Sequence, residues 1–291
     1  MKKIIIPFCM VAICAAFTGL ASCNHSSPSQ GEAGSGSESD SLTIPPCVVG
    51  KVPDSLHLDS FYVKYVDVNG LPLISSWRVP DSAFVAAHRT LYAMTCMLPK
   101  AVLDSMIHAN ARVAIMARYE GTTDLPEHHY LVNDTTLNWD LRARGLGGTV
   151  EEPLTSCAEE NVLGYQIDKY HAEDILVHEF SHAIHCIGFM LAVPEFDQRL
   201  KTLYENAKKK GILKGTYRET DHYEYFAEAI QDWFNVNAEM DHADGKHNWC
   251  NTREELKEFD PDLYDFIAEY FPATSMHISK HKTVNDIHPY K

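Results

Sequence analysis

The segment His178-Glu179-Phe180-Ser181-His182 constrains this chain more than any other. Two imidazoles four residues apart face one point only when the backbone between them is helical, because positions i and i+4 then share a face. Two ring nitrogens and an adjacent carboxylate suit a divalent ion such as zinc: the rings ligate, and Glu179 takes a proton from the water that the ion activates. Ile175-Leu176-Val177, Phe180, Ala183, Ile184 and Ile187 supply an apolar stripe, which predicts an amphipathic helix over 172–187. The plainer alternative is a solvated histidine pair on a surface helix.

An ion held by two imidazoles needs a third protein donor. His185 follows His178 by seven residues, but it lies a turn beyond His182 on an unbroken helix, and three donors strung along one straight helix converge poorly. It is expected to be structural or to support a ligand. The metzincin pattern, in which Gly breaks the helix before a third His, fails because His185 precedes Gly188. The run Tyr223-Glu224-Tyr225-Phe226-Ala227-Glu228-Ala229-Ile230-Gln231-Asp232-Trp233-Phe234 offers better donors. Glu224 and Glu228 stand one turn apart, so one can ligate while the other accepts the second N–H of a ligating His. They are otherwise two solvated helix carboxylates; the apolar residues around them make burial, and hence partners, the stronger expectation. A glycosidase would need two carboxyls facing across a cleft, which two acids on one helix suit poorly.

Upstream, Phe61 to Val68, Asn69-Gly70 and Leu71 to Ile74 predict two strands around a tight turn, with Pro72 weakening the second or placing it at an edge. Asp81 or Ser82 is expected to cap a helix, and Pro99 to open a shorter one ending near Asn110. Arg112 to Tyr119 predicts a buried strand, Gly121 to His129 a loop, and Arg144 to Gly148 a flexible turn without the Lys of a phosphate loop. Ser156 to Asn161 is either an edge lining the cleft or a polar turn. Helices are expected over 194–210 with Gly211 as C-cap, over 222–234, and from Asp260-Pro261 to about Tyr270. Strands early and helices late predict an α+β domain with a helical lobe.

The amino terminus reads as an address. Lys2 and Lys3, an apolar run from Ile4 to Phe17 and then Leu20-Ala21-Ser22-Cys23 fit an exported signal peptide over 1–22. The last four residues resemble a bacterial lipobox, which implies cleavage before Cys23 and its acylation, palmitate included, so that lipid anchors the protein in the bacterial cell envelope without spanning it. Residues 23–46, rich in Ser, Gly and Glu, predict a flexible tether, and 47–291 the folded domain. Five later cysteines, 47, 96, 157, 186 and 250, leave at least one thiol unpaired; Cys157–Cys186 is the candidate bridge. The net charge of −15 argues against nucleic acid and against a polybasic membrane-binding face. The tail histidines 277, 281 and 288 are expected in solvent.

The stretch Ile175 to His182, then Thr216-Tyr217, then Glu224-Tyr225-Phe226-Ala227-Glu228-Ala229 resembles the anthrax lethal factor and Pro-Pro endopeptidase group of gluzincin metallopeptidases. Ser181 stands where that group commonly has Gly, and Ile230 where it has an aromatic. The resemblance implies a zincin-like domain with a small amino-terminal sheet lobe and a helical carboxy-terminal lobe. It implies one Zn2+ on His178, His182 and Glu224, Glu179 as general base, Tyr217 as oxyanion donor and Glu228 as support for His178. The expected activity is zinc-dependent hydrolysis of peptide bonds in a peptide or protein substrate; the alternative is a non-catalytic zinc-binding surface lipoprotein that captures a partner protein.

Overall fold

Asn69 and Gly70 both take positive φ, 52° and 88°, which is the backbone of a two-residue type I′ turn. That turn sets the register between β2 (Lys64–Val68) and β3 (Leu71–Ser75), closing on the pair Val68 and Leu71. The computed structural model describes residues 42–170, 172–271 and 273. The signal peptide, Cys23, nearly all of the tether and the tail histidines lie outside the described residues.

Six strands make one sheet in the order β1-β2-β3-β4-β6-β5, with β1 at Gly50–Lys51, β4 at Arg112–Met116, β5 at Gly145–Leu146 and β6 at Leu154–Ala158. β3, β4 and β6 run parallel, and β1, β2 and β5 pair antiparallel. Parallel neighbours need a crossover; helices α1 (Asp81–Thr95) and α2 (Lys100–His108) make the one from β3 to β4. The arrangement is α+β, although these two helices interrupt the early strands. Pro72 sits in an interior strand, not at an edge. Its lack of an N–H is tolerated because the ladder to β4 begins only at Leu73.

Alternation divides the sheet into two faces. Val66, Val68, Leu71, Leu73, Val113, Ile115 and Cys157 join the main core with Phe84 and Leu91 of α1. Ile74, Ala114, Met116, Leu154 and Ala158 form a smaller cluster with Tyr62 and Leu125 on the other face. β6 is therefore buried along its whole length, and the residues read as a cleft edge or polar turn are an interior strand followed by α4 (Glu159–Leu163). The edge is β5, formed from the segment expected to be a flexible turn. The expected loop 121–129 winds into 3₁₀ turns at Thr122–Asp124 and Pro126–Asn133, and α3 is one turn at Trp139–Arg142. Helix α1 starts on Pro80 without a side-chain cap; Asp81 instead pairs with Lys64 at 2.7 Å.

Helix α5 (Ile175–Ala183) starts on Asp174, whose carboxylate accepts the Val177 N–H. All nine residues of α5 are buried, so it is a core helix and not an amphipathic surface one. It runs on through a π-helical turn, Ile184–Phe189, into α6 (Met190–Ala192). Helices α7 (Phe196–Lys210), α8 (His222–Trp233), α9 (Arg253–Phe259) and α10 (Pro261–Ala268) complete the helical part. Gly211 at φ 73° closes α7, and the Asp260 carboxylate caps α10. Helix α9 opens on a capping box formed by Thr252 and Glu255, a local signal in the sequence. Among the described residues, all five cysteines are free thiols. Cys157 sits in β6 and Cys186 in the π turn that follows α5, and neither half of the expected bridge is paired.

Gly188 lets the π turn seat against α2: a Cβ there would stand 2.7 Å from Val102 Cγ1. Gly188→Val is expected to lower unfolding stability by about 1–3 kcal/mol through overpacking, read as a lower urea midpoint at unchanged slope.

Candidate active site

α5 and α8 pack against each other, and their buried faces carry the polar residues that the apolar sequence around them would otherwise exclude. His178 and His182 stand one turn apart on α5. Glu224 lies in the first turn of α8, where the Asp221 carboxylate accepts the N–H groups of both Tyr223 and Glu224. The folding of α8 onto α5 brings the three together. Glu224 Oε2 is 3.0 Å from His178 Nε2 and 3.6 Å from His182 Nε2, and the two ring nitrogens are 3.3 Å apart. Donors about 2.0–2.1 Å from a tetrahedral zinc ion are roughly 3.3 Å from one another, so this triangle fits such an ion.

The electrostatics agree with the geometry. Burial would raise the Glu224 pKa, but the His182 and His178 rings overcome it and hold the carboxylate well below its usual range. Burial also disfavours a charged His178, yet Glu224, then Glu179 and Glu228, outweigh that and raise its pKa well above the usual imidazole value. The site thus concentrates negative charge where a cation is favoured.

The other nitrogen of His178 has its own partner. Nδ1 donates to Gln231 Oε1 at 2.9 Å, which leaves Nε2 free to ligate. Gln231 Nε2 donates in turn to the Asp174 carbonyl at 3.1 Å, tying α8 to the cap of α5. Glu228 Oε1 lies 3.7 Å from the same Nδ1 and its other oxygen accepts from Asn237 at 3.0 Å. Gln231 is thus the hydrogen-bonding support, with Glu228 as a nearby charge. Spacing offered a signal for it, since 224, 228 and 231 share one helix face.

Glu179 is buried beside the His178 and His182 rings, and its Oε2 has no hydrogen-bond partner. Burial raises its pKa against the pull of His178 and His182. Tyr217 also reaches Glu224, its hydroxyl 3.4 Å from Oε1. Burial, then the Glu224 charge, raises its pKa, so the phenol keeps its proton. Its 3₁₀ turn, Tyr217–Glu219, is fixed to α8 by the buried Arg218–Asp232 pair at 2.6 Å.

Edge strand β5 crosses the site on glycines. A Cβ on Gly145 would stand 2.9 Å from Glu179 Cγ, and one on Gly147 would stand 2.5 Å from His182 Cβ. Only glycine permits that approach of backbone to α5. His185 points elsewhere, into a separate group with Asp197 and His222, and Glu173, Glu228 and His247 make a third cluster of potential donors.

No family model matches the chain, and no curated protein does. Among solved structures it is similar to the Pro-Pro endopeptidase PPEP-2 from Paenibacillus alvei, at 20% sequence identity and a TM-score of 0.44, with 68% of this chain and 95% of that chain covered.

Gln231→Leu keeps the bulk of the side chain but removes the acceptor for His178. It is expected to weaken zinc binding by about 10- to 100-fold, measured by competition with a chromophoric chelator, with the fold retained by circular dichroism.

Proposed function

We propose that this chain is a zinc-dependent endopeptidase, held at the bacterial cell envelope by acyl groups on Cys23. The observation that carries the reading is the convergence of His178, His182 and Glu224 on one point beside a buried Glu179 oxygen that has no partner. The donor set of two imidazoles and one carboxylate suits zinc, which leaves a fourth position open in sites of this type. When bound there, the ion would supply Lewis acidity to a peptide carbonyl and lower the pKa of a water molecule.

The remaining chemistry belongs to the chain. Glu179, its basicity raised by burial, takes the proton of the attacking water and returns it to the departing amine. Tyr217, protonated at neutral pH, donates a hydrogen bond to the oxygen on which negative charge develops. Edge strand β5 pairs on one side with β6, and its outer side suits an extended peptide added as a further strand. Gly147, against His182, would bring that peptide's carbonyl over the site. The apolar run before Leu20-Ala21-Ser22-Cys23 supports export and acylation.

Glu179→Gln is expected to keep its zinc and lose about 10²- to 10⁴-fold in cleavage of a peptide library, because proton transfer goes and ligation stays. Undiminished cleavage by this variant with zinc still bound would overturn the mechanism. Tyr217→Phe is expected to lower kcat by about 10²- to 10³-fold with little change in KM, since its hydrogen bond forms only as charge develops.

A further inference from the structure

The three donors next to the candidate active site repeat its construction. His185 Nε2 is 3.2 Å and His222 Nε2 is 2.9 Å from the same oxygen of Asp197, Oδ1. All three donor atoms lie within 4.8 Å of one another, as do those of His178, His182 and Glu224. The ring planes cross at 78° in both groups, with centroids 5.6 Å apart for His185 and His222 and 5.0 Å apart for His178 and His182. We propose that His185, Asp197 and His222 form a second zinc site, distinct from the first.

Three features of the fold prepare this group. The π turn gives the helix an extra residue per turn at His185. A regular helix would have kept that ring on the face shared by His178 and His182; here it turns to α7 and α8. The His185 ring is then held among Phe196, Tyr223 and Phe226, at centroid distances of 5.4, 5.0 and 5.5 Å. Asp197 is in the first turn of α7, and Lys201 one turn on binds its second oxygen, Oδ2, at 2.7 Å. That contact fixes the carboxylate and leaves Oδ1 to face the two rings, the arrangement of a ligand held by a supporting bond.

The donor chemistry is again two imidazoles and one carboxylate, a set that zinc accepts, and Asp197 is the most exposed of the three. The ion would tie the π turn, the start of α7 and the start of α8 together. The α5–π run and α8 each hold donors of both groups, so it would also brace the helix pair that carries the first site. A simpler occupant is a proton network, in which both rings donate N–H to Asp197; the test separates the two.

Zinc alone is the probe. The full chain in detergent is saturated with Zn2+, passed through a desalting column and assayed by plasma mass spectrometry. Two ions per chain are expected for the wild type, one for Asp197→Asn and one for Glu224→Gln. Cobalt in place of zinc is expected to give tetrahedral absorption in both variants. His185→Gln, which keeps most of the bulk and a donor to Asp197, is the second probe if Asp197→Asn fails to fold, and it too should retain one ion. A wild type with one ion that Glu224→Gln removes overturns this proposal and spares the peptidase reading. An ion lost from Asp197→Asn or His185→Gln with none lost from Glu224→Gln does the reverse. Two ions that survive in Asp197→Asn or, where that variant does not fold, in His185→Gln also overturn it.

Discussion

A carboxylate, Glu224, is buried between two imidazoles in the middle of the helical core, and much of the rest of the structure serves to make that burial tolerable. An ionised group taken out of water without partners costs several kcal/mol or changes its protonation. Here the ring nitrogens of His178 and His182 face it, Tyr217 donates to its second oxygen, and the N-cap Asp221 holds the backbone from which it projects. A divalent cation bound there would offset the negative charge gathered by Glu179, Glu224 and Glu228.

The supports reach outward in layers. Gln231 links His178 to the carbonyl of Asp174, so the residue that begins α5 also orients the His178 ring one turn later. Behind α8, Arg218 and Asp232 pair at 2.6 Å, and Arg218 also binds the Cys250 carbonyl at 3.0 Å. On the sheet side, Arg144 pairs with Glu160 at 2.6 Å next to the edge strand. Removing one member of such a buried pair strands the other charge, so these pairs make the geometry all-or-none rather than adjustable.

Much of this was legible because it is local. The Asn69-Gly70 turn, the Asp260-Pro261 start of α10 and the Gly211 end of α7 each follow from the backbone preferences of one or two residues. Errors came where context overrode local pattern. Arg144 to Gly148 reads as a loop by its glycines, yet the same glycines are what allow an edge strand to lie on α5. Helix α5 reads as amphipathic because it contains His, Glu and Ser, yet every one of them is buried with the core. Periodicity reports polarity, and polarity is a poor guide to exposure where polar groups find partners inside.

By itself the sequence determined that His178 and His182 share a helix face, that Glu224 and Glu228 share another, and that a tight turn joins β2 to β3. These are consequences of 3.6 residues per turn and of allowed backbone angles, which act within a few residues. Only the tertiary structure decided that Gln231 supports His178, that β5 is the edge above the site, and that His185 turns away to Asp197 and His222. Those choices join residues far apart in the chain, and they depend on how helices and strands pack, on a π turn within a core helix, and on which buried charges find each other.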